Sequence, residues 1–219
     1  MKLEARASAY AALGDGRRLG VVDRLTLGDL TVAELAELTG MKGNLLAHHL
    51  DVLEDAGLIE RRVSEGDQRR RYVALRWDHL PERYVPTVPG KGRVVFVCTH
   101  NSARSQFAAA LWGERTGHPA SSAGSDPSAE VHPKAVRVAD EYGIDLSGET
   151  PGGYDRLPSG LGLVVSVCDR ARESGVPDGN AHLHWSVRDP VPVGTVSAFR
   201  DAFAEIAVRV ENLARGSAA

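Results

Sequence analysis

The stretch RVVFVCTHNSARSQFAAALWGERTG, beginning at Arg93, limits the possible folds more than any other part of the chain. A compact Val-rich run ending in Cys98 is the signature of a buried parallel strand, and the Ala-rich run after Ser105 reads as a helix. Between them lies a loop with the pattern Cys-x5-Arg-Ser. A loop wrapped at a helix N-terminus aims backbone N–H groups and the helix dipole at an oxyanion. The oxyanion-binding loop is therefore read as Thr99, His100, Asn101, Ser102, Ala103 and Arg104, with the planar fork of Arg104 closing it. In that field the Cys98 thiol is expected to ionise below its free value, in the roughly 3.5–7.5 range of reactive cysteines. Ser105 is placed to donate to the thiolate. Such a loop suits nucleophilic attack on phosphate or arsenate.

Downstream, HPKAVRVADEYGIDLS reads as helix and turn, LGLVVSVC as a second buried strand ending in Cys168, and HLHWSV as a third. The third strand leads to Arg188-Asp189-Pro190, and a helix from Ser197 to Ala214 closes the domain. Strands alternating with helices imply an α/β domain with a parallel sheet, its active edge at the strand C-termini. Cys98, Cys168 and Asp189 all follow strand ends and can converge on one rim. His182 and His184 have the alternation of a metal pair but no third ligand, so they read as structural histidines and no metal is expected. Trp185, Leu111 and Trp112 read as core.

The 219 residues suit two domains, and WDHLPERYVPTVPGKGR marks the division, since its prolines and glycines stop both helix and strand. The expected boundaries are 1–78 for the first domain, 79–91 for a linker and 92–219 for the second. A net charge of −3 gives no global basic field, and two cysteines exclude a disulfide-stapled scaffold or a four-cysteine zinc site. No apolar run has signal-peptide or membrane-spanning length, so a soluble, cytoplasmic protein without a membrane partner is expected.

The first domain reads as mainly helical with a β-hairpin. Helices are expected over Glu4–Leu13, Arg17–Leu27, Val32–Leu38 and Gly43–Ala56, the last with Leu45, Leu46, Leu50 and Leu53 on one face. Thr31 and Glu34 fit a capping box. Two short helices joined by a Gly-containing turn form a helix-turn-helix pattern. The runs Leu58–Val63 and Arg69–Leu75 form a hairpin carrying Arg61, Arg62, Arg69, Arg70 and Arg71, a cluster suited to phosphate contact.

In ALGDGRRLGVVDRL, LTVAELAELTG and LLAHHLDVLEDAGLIERR, residues 5 to 76 resemble the winged helix-turn-helix ArsR family of transcriptional repressors. The resemblance implies a homodimer on a double-stranded DNA operator, with recognition helices in successive major grooves about 34 Å apart. Lys42, Asn44 and His48 would then face the DNA from the recognition helix, and the hairpin arginines from the wing. Many relatives sense metals or arsenite through cysteines in this domain, which has none here. Adjacent His48 and His49 point about 100° apart and make poor co-ligands.

In CTHNSARSQ, HPKAVRVADEYGIDLS and HWSVRDP, residues 93 to about 214 resemble the low-molecular-weight tyrosine-phosphatase fold, and most closely its arsenate-reductase branch. The resemblance implies Cys98 as nucleophile, Arg104 as oxyanion clamp, Asn101 as holder of the loop, Ser105 as support of the thiolate and Asp189 as general acid. It makes Cys168 the second redox cysteine. Thioredoxin-coupled relatives have a third cysteine where this chain has Gly175, so an external thiol or thioredoxin-like reductant is implied. Ala109 replaces a glutamate associated with a potassium site, and no tightly bound cofactor is expected, with arsenate or phosphate as ligand. Val191, Pro192, Val193 and Gly194 offer no aromatic wall of the kind phosphatases of this fold carry. Three readings stay open: a repressor fused to an arsenate reductase, a sensor domain that shifts DNA binding by anion binding or Cys98–Cys168 oxidation, and a phosphatase.

Overall fold

The computed structural model describes residues 3–80 and 92–217, which fall into two compact units. Most of the expected linker, residues 81–91, lies outside the described residues.

The N-terminal unit runs α1 (Leu3–Leu13), α2 (Gly16–Leu25), β1 (Leu30–Thr31), α3 (Val32–Thr39), α4 (Gly43–Asp55), β2 (Ile59–Val63) and β3 (Arg71–Leu75). Local chemistry sets the helix starts. The Asp15 carboxylate accepts the Arg17 and Arg18 N–H groups at 2.8 and 3.1 Å, satisfying two donors that α2 cannot use. At α3 the capping box forms in both directions: the Glu34 N–H donates to the Thr31 hydroxyl at 3.2 Å, and the Thr31 N–H to the Glu34 carboxylate at 2.7 Å. Gly40, at φ +66°, ends α3 in the left-handed conformation that glycine adopts without strain.

Helix α4 buries Leu46, His49, Leu50 and Leu53 against Val21, Val22 and Leu25 of α2 and Leu35 of α3. Leu45, expected on the same face, is 36% exposed, because it lies one residue off the buried stripe. Strands β2 and β3 pair antiparallel from Ile59↔Leu75 to Val63↔Arg71, and β1 adds to β3, giving the order β1-β3-β2.

The C-terminal unit runs β4 (Arg93–Cys98), α5 (Arg104–Thr116), β5 (Ser121–Gly124), α6 (Pro133–Glu141), β6 (Leu161–Ser166), α7 (Asp169–Ser174), β7 (Ala181–His184), α8 (Pro190–Val193) and α9 (Val196–Ser217). Its four strands are parallel in the order β5-β4-β6-β7. Strand alternation divides the core. Phe96 and Cys98 face the cluster built from Phe107, Trp112, Trp185, Phe199, Phe203 and Ile206, while Val95 and Val97 face Ala123, Leu161 and Val164. Phe107 of α5 meets Phe203 of α9 edge to face at 5.1 Å.

The third expected strand stops at His184 rather than running on through Trp185 to Val187, and β5 and the short helices α7 and α8 were not expected. Because β5 and β6 flank β4 on opposite sides, the ends of β4 and β6 lie at the switch point of the sheet, where α/β folds open a crevice. No helix among the described residues is long and apolar enough to cross a membrane.

Candidate functional site

The loop after β4 carries Cys98 on its floor. The Cys98 Sγ lies 3.1 Å from the Ser105 hydroxyl and accepts the Asn101 N–H at 3.2 Å. Helix α5 begins at Arg104 with no side chain capping its first turn, so its first N–H groups are left to the loop. Asn101 has φ +48°, the one non-glycine residue with positive φ among the described residues. A strained backbone of this kind costs about 1–3 kcal/mol and persists only where its surroundings impose it. Here they do. The Asn101 amide donates to Ser105 Oγ at 2.8 Å and Ser122 Oγ at 2.9 Å, and its Oδ1 accepts the Gly152 N–H at 2.9 Å. Gln106 donates to the Asn101 carbonyl at 3.1 Å.

Arg104 turns inward, with a side chain only 5% exposed. One guanidinium nitrogen donates to the Val187 carbonyl at 2.8 Å, and the other pairs with Asp189 Oδ2 at 2.9 Å. Burial works against its charge, but the nearby Cys168, Asp189 and Cys98 groups outweigh that and hold Arg104 protonated beyond its ordinary range. Asp189 also accepts the Val191 N–H at 3.1 Å, capping α8. Sequence reasoning gave the clamp and the acid separate tasks, whereas the folded unit pairs them with each other.

Cys168 follows β6, the immediate neighbour of β4, with Val97 opposite Ser166. Its Sγ lies 3.4 Å from the Thr99 hydroxyl and accepts the Ala171 N–H at 3.4 Å. Both cysteines are free thiols. Burial pushes the Cys168 thiol up, with Arg104 offsetting part of that. Gly175, at the position of the absent third cysteine, has φ +107°, a conformation L side chains rarely adopt.

The two histidines, both expected to be structural, differ in their surroundings. His182 is exposed, while buried His184 donates from Nε2 to Asp169 Oδ1 at 3.2 Å and holds Nδ1 2.9 Å from Ser166 Oγ. Among the described residues no group of three His, Cys, Asp or Glu side chains could hold a metal. Trp185, Leu111 and Trp112 are core residues. Thr99, His100, Ser102 and Ala103 complete the loop. His100 Nδ1 lies 3.0 Å from the Asp126 carbonyl.

Sequence reasoning missed several supports. Ser122, Gly124, Gly152 and Val187 come from distant segments and gave no local signal, whereas Gln106, next to Ser105, could have been noticed. It also missed Tyr154, whose hydroxyl is buried without a hydrogen-bond partner. Burial, with the Cys168 sulfur nearby, pushes that phenol up to about 12.

On the N-terminal unit, Lys42, Asn44 and His48 are exposed at the start of α4 or on its outer face. Arg61 and Arg62, expected as DNA contacts, each lie beside carboxylates of their own unit. Arg61 pairs with Glu54 and, at 2.7 Å, with Asp51, both on α4, and Arg62 pairs with Glu60. Clustering in sequence counted these cations as available, but the fold sets carboxylates beside them. Arg69, Arg70 and Arg71 are exposed, and Arg71 also donates to the Gln68 carbonyl at 3.1 Å.

Residues 93–218 match the low molecular weight phosphotyrosine protein phosphatase family, and residues 13–62 match a helix-turn-helix domain. An arsenate reductase of Halalkalibacterium halodurans is 33% identical over 132 residues, covering 55% of this chain and 94% of that protein. One from Brevibacillus brevis is 36% identical over 107 residues, covering 46% and 78%. The crystal structure of an arsenate reductase from Archaeoglobus fulgidus is similar at 31% identity and TM-score 0.49, covering 56% of this chain and 98% of that one. With the sulfur-floored loop, the parallel sheet and the matching span together, the chain belongs through its C-terminal half to the low molecular weight phosphotyrosine protein phosphatase family, joined to a helix-turn-helix domain.

Proposed function

We propose that the C-terminal unit is a thiol-dependent arsenate reductase and that the N-terminal unit binds an operator as an arsenic-responsive repressor, acting as a homodimer. The observation that carries the enzymatic reading is the placement of two free thiols at the ends of adjacent strands, both near enough to Arg104 to support its charge. The absence of aromatic residues after Asp189 and the arsenate reductases among the relatives also favour it over phosphate-ester hydrolysis.

In the first step the Cys98 sulfur attacks arsenic(V), and an arsenate oxygen leaves as water, taking a proton from Asp189. The loop N–H groups and Arg104 stabilise the charge on the remaining oxygens. In the second, the Cys168 thiolate attacks the Cys98 sulfur. The sulfur–sulfur bond forms, the sulfur–arsenic bond breaks, and arsenic departs as arsenite with the electron pair, so the two thiols supply both electrons. An external thiol or thioredoxin-like protein then reduces the disulfide.

Arsenate turnover with a supplied thiol reductant, measured beside aryl-phosphate hydrolysis, tests this reading. Cys168→Ser should lower thioredoxin-coupled arsenate turnover by at least about tenfold and spare aryl-phosphate hydrolysis. Unchanged arsenate turnover would eliminate the two-sulfur relay. Because burial raises the Cys168 thiol, its thiolate is the minor form at neutral pH. Disulfide formation in a single turnover should therefore quicken by roughly tenfold per unit as pH rises from about 7 to about 9. A rate flat over that interval would mean that another thiol resolves the adduct.

DNA binding is tested by mobility shift on the promoter upstream of the coding sequence. Asn44→Ala or His48→Ala should weaken operator binding by about 1–3 kcal/mol while leaving random-sequence binding unchanged. Equal losses on both duplexes would assign these side chains to backbone contact.

A further inference from the structure

We propose that the N-terminal unit has a second DNA contact, a cationic groove between α2 and the turn joining α3 to α4 that seats a phosphodiester of the operator backbone. This rests on the operator-binding reading above. The groove has a volume of about 460 Å³ and is lined by Arg17 and Arg24 of α2 and Lys42 at the start of α4, with no acidic residue in its wall.

The three cations differ from the hairpin pair in one decisive respect. Arg61 and Arg62 are neutralised by carboxylates of their own unit. Among the described residues, Arg17, Arg24 and Lys42 have no ion-pair partner. Arg24 donates only to the Gly20 carbonyl, at 2.8 Å, a bond that steadies the side chain and leaves its charge uncompensated. Cations already paired with carboxylates have little counterion atmosphere to exchange, whereas uncompensated ones exchange theirs for phosphates with a gain in entropy.

The shape of the wall fits the same ligand. Gly16 and Gly20 stand one turn apart on α2 and Gly40 lies in the facing turn. A Cβ added at Gly16 or Gly40 would meet nothing within 4 Å. The wall is therefore low where a sugar-phosphate chain must come close. The first turn of α4 has no side-chain cap, so its N–H donors are not taken by Lys42. A phosphate held here would fix the register of α4, leaving Asn44 and His48 on its exposed surface to read bases. Lys42 then belongs with the backbone contacts.

The test uses the full chain in anisotropy titrations against operator and random duplexes, from about 50 to 300 mM salt. Arg17→Ala and Arg24→Ala should each weaken binding to both duplexes by a similar factor and flatten the log–log salt slope by about 0.9. Both side chains are exposed, so the variants should keep the wild-type circular dichroism and melting temperature. Arg137→Ala, which removes an exposed charge from the C-terminal unit, is the control and should leave the slope unchanged. If wild-type protein binds DNA and the two groove variants match the control, the groove proposal is overturned while operator binding stands. If wild-type protein binds neither duplex, both readings fall.

Discussion

Arg104→Lys is expected to lower arsenate turnover by about a thousandfold at saturating arsenate, with the fold retained. The arginine side chain reaches the Val187 carbonyl with one nitrogen and Asp189 with another, and the flat fork spans both. A lysine keeps the charge but concentrates it on one nitrogen, so it cannot brace the loop and hold two arsenate oxygens in a plane. The loss should fall on kcat, since the clamp is most effective where charge develops in the transition state, and it corresponds to about 4 kcal/mol. Circular dichroism and a thermal melt separate this from misfolding. A variant within about threefold of wild type would mean that loop N–H groups alone stabilise the oxyanion.

Gly124→Ala should be nearly as damaging, although no catalytic atom is removed. A Cβ at position 124 would stand 2.5 Å from the Thr99 carbonyl oxygen, 3.0 Å from the Asn101 nitrogen and 3.1 Å from the Asn101 Cβ. The first two are backbone atoms and cannot swing aside. Gly124 itself is fixed by pairing with β4 and by its N–H bond to the Gly152 carbonyl at 2.8 Å, so the loop must move instead. That movement would pull the Asn101 N–H away from the Cys98 sulfur. We expect a loss of about 1–3 kcal/mol in denaturant unfolding and roughly a hundredfold fall in turnover. Wild-type activity in a stable Gly124→Ala protein would show that the loop tolerates displacement.

These two residues illustrate what could be read from the chain and what could not. Arg104 was legible because Cys-x5-Arg-Ser between a Val-rich strand and a helix is a local pattern with a local purpose. Gly124 was not, because it ends a strand of sequence Ser-Ser-Ala-Gly, without the β-branched or alternating apolar residues that announce a strand. That strand is held by its pairing with β4, a contact visible only after folding. The same limit explains Arg61 and Arg62, whose partners Asp51, Glu54 and Glu60 depend on how α4 meets the hairpin. It also explains Asn101, whose place in the loop is visible in the sequence but whose partners Ser122 and Gly152 lie far along the chain. Leu45 shows a smaller error of the same kind, since apolar character alone could not say which of two adjacent leucines turns inward.

The backbone at Gly175 has a consequence for how the chain could evolve or be engineered. Placing a cysteine there would force a side chain into a left-handed segment at a cost of about 1–3 kcal/mol, so a third sulfur cannot simply be slotted in. On the proposed chemistry, each molecule that releases arsenite stays locked in its oxidised form until a reductant collides with it. Throughput would then follow the supply of reductant around the protein, and the oxidised fraction at any moment would serve as a gauge of that supply.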